Sequence, residues 1–459
     1  MTTVEEPGAA CHPAIKTYDI RGRAGSEVTP ELARATGEAF VHFLQATEVI
    51  VGHDMRPTSP ELAQAFAAGV RSRGADVLWA GLTATDVIYF ASGTLGLPAA
   101  MITASHNPAS DNGIKLTRAG VGPIARGSGL EEIHSLLHTG LPALAAGARS
   151  GTTTGVQLQA DYTSCLRGQV DLDRIRPLRI VADAGNGMAG LTWPPLLAGL
   201  PVEMVELYFE LDGTFPNHDA NPMEPANLRD LQQAVVEHGA DLGLAFDGDG
   251  DRCFVVDELG QAVPPCALLA LLACRHLADQ PGGTVVHDLL TSHATTETIR
   301  EHGGVAVRSR VGHAFVKAQM QATDAILGGE ASGHYYFGRF WHADSGPLAA
   351  LHTLAAVGTQ PWPASELFAP FTRYVTSGEI NIPAADPRAT VHHVAQAFPG
   401  ATDLLDGLTV TYGPGRWFNL RASNVDPVVR LTIEAGSRTD VGDLRRRVLS
   451  LLPGGVHQD

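Results

Sequence analysis

The chain has no apolar run long enough to cross a bilayer: its longest, residues 262–274, falls short of the roughly 20 residues a spanning helix needs. Its first ten residues, MTTVEEPGAA, hold no apolar signal core, so a cytoplasmic protein without a membrane partner is expected. Cysteine is scarce. The five present, Cys11, Cys165, Cys253, Cys266 and Cys274, form no C-x-x-C pair, which argues against a zinc knuckle and a secreted disulfide framework. Positive charge is in deficit: 32 Lys+Arg stand against 49 Asp+Glu, a net charge of −17. Nucleic acid is therefore not an expected partner, since its phosphates would be repelled, and any anionic substrate must meet a local basic site.

What is present is globular. Hydrophobic residues make up 44% and charged residues 18%, while Gly (50) and Pro (29) stay together below the roughly 25–30% of low-complexity chains. A length of 459 residues, at roughly 100–200 per domain, suggests three or four domains. Three stretches repeat one plan of apolar strand, helical pattern and second strand: 49–51 to 77–79, 178–181 to 202, and 284–286 to 305–307. This is the pattern of a βαβ unit. Residues 147–155, rich in Gly, Thr and Ser, read as a linker, and a second break is expected after Arg252. From about residue 370 short strands at 409–411, 417–420 and 428–433 precede a helix at 440–452. The expected architecture is three similar mixed α/β domains (1–150, 151–253, 254–369) and a smaller C-terminal α+β domain (370–459).

Four loops carry candidate chemistry. In Thr103-Ala104-Ser105-His106-Asn107-Pro108, followed by Asp111-Asn112-Gly113-Ile114-Lys115-Leu116, turn formers hold a serine beside a histidine, with a lysine ten residues on. A serine hydroxyl needs such a base or cation to become a nucleophile, although composition alone fits a plain polar turn as well. In Asp247-Gly248-Asp249-Gly250-Asp251-Arg252 three carboxylates at alternate positions, with glycines letting the backbone curl, can converge on one hard cation. An EF-hand is excluded because its terminal Glu spacing is missing. In Gly328-Gly329-Glu330-Ala331-Ser332-Gly333-His334, carboxylate, hydroxyl and imidazole offer the mixed donors and acceptors that sugar hydroxyls need, and a hairpin before the aromatic strand fits equally. In Arg421-Ala422-Ser423-Asn424-Val425-Asp426-Pro427 an arginine and short polar side chains in a turn suit a phosphate, or a turn with one solvated arginine. A fifth motif, Gly185-Asn186-Gly187-Met188-Ala189-Gly190, fits the dinucleotide pattern G-x-G-x-x-G, but Pro194 and Pro195 stand where its helix should continue.

In this order the four loops resemble the α-D-phosphohexomutase family, most closely its bacterial phosphomannomutase/phosphoglucomutase branch. The resemblance spans nearly the whole chain, beginning at Lys16-Thr17-Tyr18-Asp19-Ile20-Arg21-Gly22, which is similar to the family's FKxYDIRG. It implies four domains around a central cleft. It also implies that Ser105 is a phosphoserine, His106 its loop neighbour and Lys115 a proton acceptor. Asp247, Asp249 and Asp251 would hold Mg2+ with the Ser105 phosphate, and Arg252 would be a cation on the substrate side. Glu330, Ser332, His334 and His313 would contact the sugar, and Tyr18, Arg21, Arg421, Ser423 and Asn424 the spectator phosphate.

The implied reaction moves phosphate between the 1- and 6-positions of mannose or glucose through a hexose 1,6-bisphosphate, with sugar phosphates as the only partners of a monomer or small homo-oligomer. Phosphoglucosamine mutase, a magnesium-dependent sugar phosphatase and an inactive sugar-phosphate-binding protein are the alternatives. Two departures bear on affinity or substrate choice. Val425 and Asp426 replace Thr and Glu of the usual RxSNTEP, and Leu289 stands where a lysine often follows Asp288.

Overall fold

The computed structural model describes residues 12–143, 149–398, 402–423 and 427–452. They fall into two compact units, one within Met1–Ala262 and His334–Pro363, the other within Val263–Gly333 and Ala364–Asp459. Among the described residues no helix is long and apolar enough to cross a membrane.

The first unit holds a six-stranded sheet in the order Ile20–Arg23, Asp111–Thr117, Ala99–Ile102, Glu48–His53, Asp76–Leu82, Thr153–Gly155. Its middle is the first expected βαβ unit: Val49 pairs in parallel with Val77 and Ile50 with Leu78, and helix Ser59–Ser72 makes the crossover. Glu48–His53 is buried almost throughout, as a parallel strand covered on both faces must be, which is why it reads as an unbroken apolar run. Its Val51 shares a buried core with Phe40, Phe66 and Ile114. In the second sheet Leu178 pairs in parallel with Val202, and Leu242–Phe246 lies beside Leu178–Asp183. The chain turns at Arg252 without leaving that sheet, because Cys253 pairs antiparallel with Phe246. The acidic motif is thus a hairpin turn rather than the end of a pattern. An antiparallel pair, Tyr335–Phe337 and Ala343–Asp344, also belongs to this unit.

In the second unit Thr284–Asp288 pairs in parallel with Val305–Ser309 and with Leu327–Gly329. The C-terminal sheet is antiparallel throughout, in the order Val375–Pro383, Val428–Ala435, Arg416–Ala422, Leu408–Gly413, Thr402–Asp403. Helices Pro387–Gln396 and Arg438–Leu449 contribute Val394, Leu444 and Val448 to its core. Three mixed α/β domains and a smaller α+β domain are what the sequence pattern led us to expect.

Four details differ. Residues 153–155 of the expected linker are an edge strand, three residues pairing with Val77, Leu78 and Trp79, too short to give a periodic signal. Helix Ala189–Leu197 continues through Pro194 and Pro195, held by the buried Trp193, Leu196 and Leu197, so packing overrides propensity. Val375–Pro383 is a further strand, hidden by its Gly378 and terminal Pro383. The last helix begins at Arg438, two residues early, because Ser437 caps it through a bond from the Asp440 amide to its Oγ at 3.1 Å.

Candidate active site

Ser105 sits at the tip of the hairpin formed by Ala99–Ile102 and Asp111–Thr117. Its φ of +51° is a left-handed conformation that a non-glycine residue adopts only when its surroundings enforce it. Thr103 Oγ1 accepts from the Ser105 amide at 2.9 Å, and the Ser105 hydroxyl donates to Asp247 Oδ2 at 2.8 Å, with His106 Nδ1 3.2 Å away. Burial, then the nearby Arg252 and Arg21, push the His106 imidazole well below its usual range.

The Asp247–Asp251 turn is buried, and its three carboxylates lie close enough for one ion. Lys115, on the returning strand of the serine hairpin, donates to Asp249 Oδ2 at 2.7 Å and to Asp251 Oδ2 at 2.6 Å. Burial alone would lower the Lys115 ammonium, but the two carboxylates outweigh it and hold the group well above its usual range. In this arrangement Lys115 ties the serine hairpin to the acidic turn. Asp249 Oδ1 and Asp251 Oδ1 are buried without a hydrogen-bond partner among the described residues. Unpartnered carboxylate oxygens in an all-oxygen set fit a hard divalent cation such as magnesium. Arg252 closes the turn, its Nε donating to Asp247 Oδ2 at 2.9 Å, while its buried Nη2 has no partner among the described residues.

His334 lies in the same unit. Arg252 and His334 share an isolated antiparallel bridge, and His334 Nδ1 is 2.8 Å from Asp344 Oδ2 and 3.7 Å from Asp251 Oδ1. Burial alone would lower the imidazole, but Asp251 and Asp344 raise it. The sequence reading grouped His334 with the sugar loop and missed Asp344, which belongs to no motif. It also missed Arg56, whose guanidinium lies under the serine loop, and the first turn of helix Thr85–Leu95. There Thr85 Oγ1 donates to Asp249 Oδ2 at 2.5 Å. Asp86 Oδ2 accepts from Tyr162 at 2.6 Å and from Ser345 at 2.7 Å. Burial pushes the Asp86 carboxyl up to about 7 against those two hydrogen bonds. Arg21 pairs with Asp19 at 2.5 Å. Its Nη1 donates to Ala104 O at 3.2 Å and to Asn107 Oδ1 at 3.0 Å, so its guanidinium supports the serine loop. Tyr18, three residues earlier, is half-buried.

The glycine motif at 185–190 serves the acidic turn. The Met188 amide donates to Gly248 O at 2.9 Å, and a Cβ on Gly187 would come within 2.7 Å of that oxygen. Gly187→Ala should therefore press directly on the turn, costing about 1–3 kcal/mol of stability and raising the magnesium concentration needed for half-activity. A melting curve and a metal titration check this; no change in either would mean that the two loops do not bear on one another.

In the second unit Glu330 is buried and accepts from the Gly312 amide at 2.7 Å, immediately before His313 opens helix His313–Thr323. The Ala331 amide donates to Asp288 Oδ2 at 3.1 Å, and burial followed by the Glu330 charge pushes the Asp288 carboxyl up to about 7. Ser332 is half-buried on the same loop. Leu289 is buried, so apolar packing occupies the position where a lysine was noted as usual. Arg421 faces Arg430 across the C-terminal sheet, and both reach Glu379, Arg421 through Nη2 and Arg430 through Nη1 at 3.2 Å. The Ser423 amide bonds Val428 O at 3.0 Å, closing the turn at its base. Arg430 was another residue that motif reading missed. Asn424, Val425 and Asp426 lie outside the described residues.

Sequence comparison matches the four domain profiles of the phosphoglucomutase/phosphomannomutase family: α/β/α domains I, II and III over 12–140, 160–260 and 265–374, and the C-terminal domain over 379–451. The chain is 40% identical to a phosphomannomutase of Salmonella typhimurium, over 95% of this chain and 98% of that one. It is 39% identical to a Xanthomonas campestris protein named for phosphohexose mutases, over 96% and 99%. A crystal structure of a phosphoglucomutase/phosphomannomutase family protein from Burkholderia thailandensis superposes with a TM-score of 0.88 at 33% identity, covering 97% of this chain and 98% of that one.

Proposed function

The chain belongs to the phosphoglucomutase/phosphomannomutase family, and on that premise we propose that it moves phosphate between the 1- and 6-hydroxyls of mannose or glucose through phosphorylated Ser105. The observation that carries this reading is the left-handed serine whose Oγ reaches a carboxylate of the buried acidic triad. In the first transfer the bond from phosphorus to Ser105 Oγ breaks as one forms to the free sugar hydroxyl, giving a 1,6-bisphosphate. After the bisphosphate turns over, the other phosphate returns to Ser105.

Asp247, Asp249 and Asp251 would hold magnesium, which when bound offsets negative charge on the transferred group. Arg252 Nη2 offers a further donor to that group. Lys115 keeps two of the carboxylates in place. The sugar hydroxyl's proton goes to His334 Nε2, since Nδ1 is committed to Asp344. Arg421 and Arg430 suit the phosphate that is not being transferred, whose binding would compete with Glu379.

Purified protein should carry phosphate on Ser105 and should convert mannose 1-phosphate or glucose 1-phosphate in a coupled assay run alongside glucosamine 1-phosphate and xylose 1-phosphate. Conversion of the glucosamine substrate alone would make it a phosphoglucosamine mutase. Phosphate release without a 6-phosphate product would make it a phosphatase. For the proton path, Asp344→Asn keeps the shape but loses the charge that orients the imidazole, so kcat should fall about 10- to 100-fold with little change in KM, within the range of general acid–base catalysis. An unchanged kcat would remove His334 from the proton path.

A further inference from the structure

The side chain of Arg56 is one of the largest fully buried in the chain, and it makes an unusual set of bonds. Nη1 donates to Pro108 O at 2.7 Å and Asp111 O at 2.9 Å; Nη2 donates to Ser105 O at 2.8 Å and Asn107 O at 2.6 Å. All four acceptors are backbone carbonyls of residues 105–111, the loop that carries the serine and the first residue of the strand after it. Nε lies 3.4 Å from Asp54 Oδ2, and the guanidinium stacks over Phe215 at 5.0 Å. A Cβ on Gly213 would sit 2.4 Å from the Arg56 Cα, so the 213–215 loop presses the arginine from its other side. With both terminal nitrogens engaged and its surface buried, Arg56 has no route to a substrate.

A loop without regular structure leaves its carbonyls unpaired, and Ser105 adds the cost of a left-handed residue, about 1–2 kcal/mol. One planar fork meets both demands, because a guanidinium presents its N–H groups in fixed directions. We propose that Arg56 is the positioning residue that aims Ser105 Oγ at Asp247 and thereby decides whether the phosphoryl group passes to a sugar or to water. Transfer to a sugar needs the phosphorus, the serine oxygen and the incoming hydroxyl in line, and a displacement of about 1 Å can cost about 100-fold. Hydrolysis has a lesser demand. A water oxygen attacks phosphorus, the bond to Ser105 Oγ breaks, the serine regains its proton and inorganic phosphate leaves. A water molecule is small and can approach without being held as a sugar must be, so this step tolerates a wandering serine.

The inference rests on the phosphoserine reading above, and its test separates the two. In Arg56→Lys, which keeps the charge but loses the fork, mutase kcat should fall about 100-fold with KM within about 3-fold of wild type. Inorganic phosphate released per mutase turnover should rise at least about 10-fold. A purely structural role would lower the amount of folded enzyme and reduce both reactions together, leaving that ratio unchanged, and this result would overturn the proposal. Should Arg56→Lys fail to fold, Asp54→Asn leaves the arginine but weakens its anchor, and the same ratio should rise in smaller measure; an unchanged ratio there overturns it equally. Wild-type protein without phosphate on Ser105 would instead sink the phosphoserine reading itself.

Discussion

Ser105→Ala should lose mutase turnover by at least about 1000-fold while the protein stays folded, because the substitution removes the atom that carries phosphate and little else. Alanine meets the same left-handed strain as serine, so the backbone cost is already present. What disappears with Oγ is its hydrogen bond to Asp247 Oδ2, which keeps the Arg252 Nε contact at 2.9 Å, and its 3.2 Å contact with His106 Nδ1. The loss of stability should therefore be no more than about 1.5–3 kcal/mol, the worth of a hydrogen bond to a charged group. Intact mass should show the phosphate gone. Full turnover in the alanine variant, or phosphate mapped to another residue, would end the phosphoserine reading.

Asp249→Asn should be nearly as damaging and should also destabilise. The carboxylate accepts from both Lys115 and Thr85, and burial, which alone would raise it, is outweighed by Lys115 and Thr85, so the group is held well below its ordinary 3.8. A carboxyl lowered on folding stabilises the protein above its unfolded value and loses that contribution as acid protonates the folded form. The wild type should therefore weaken as pH falls below 3.8, and the asparagine variant should lack that part of the acid dependence. Removing one partner of a buried ion pair costs about 3–5 kcal/mol, and Lys115 would keep only Asp251. Magnesium half-saturation should rise by about 10-fold or more and kcat should drop by orders of magnitude. A metal titration followed by thermal melts at several pH values checks each part. Full activity of the variant in chelator would refute both the ligand role and the metal requirement.

The parts of the molecule that were legible in sequence are those in which local chemistry dictates local form. The run at 49–51 had to be a covered strand, and alternate aspartates with glycines had to be a tight turn, so the acidic loop was read correctly before its sheet was. What escaped was decided across long distances. Asp344 is a plain acidic residue until the hairpin brings it to His334, and Arg56 looks like any arginine until its neighbours turn out to be carbonyls. Nor does the sequence show that Asp249 and Asp251, 134 and 136 positions away, both accept from Lys115. Pro194 and Pro195 misled for the same reason, since propensity speaks for an isolated helix and the helix is not isolated.

The first turn of helix Thr85–Leu95 has a consequence in time as well as in space. Thr85 bonds a residue 164 positions away and Asp86 one 259 positions away. Sheets formed from residues 20 to 117 can collapse early, yet Asp86 receives its second donor, and His334 its partner, only after the chain has traversed residues 263–333 of the other unit and come back. At roughly 5–20 residues per second of synthesis, that interval is on the order of ten seconds to a minute. During it the nascent chain owns a folded serine hairpin with no functioning histidine. The serine hairpin is thus complete long before His334 and Asp344 exist, and the proposed site cannot be whole until they and the later Arg421 and Arg430 have been made.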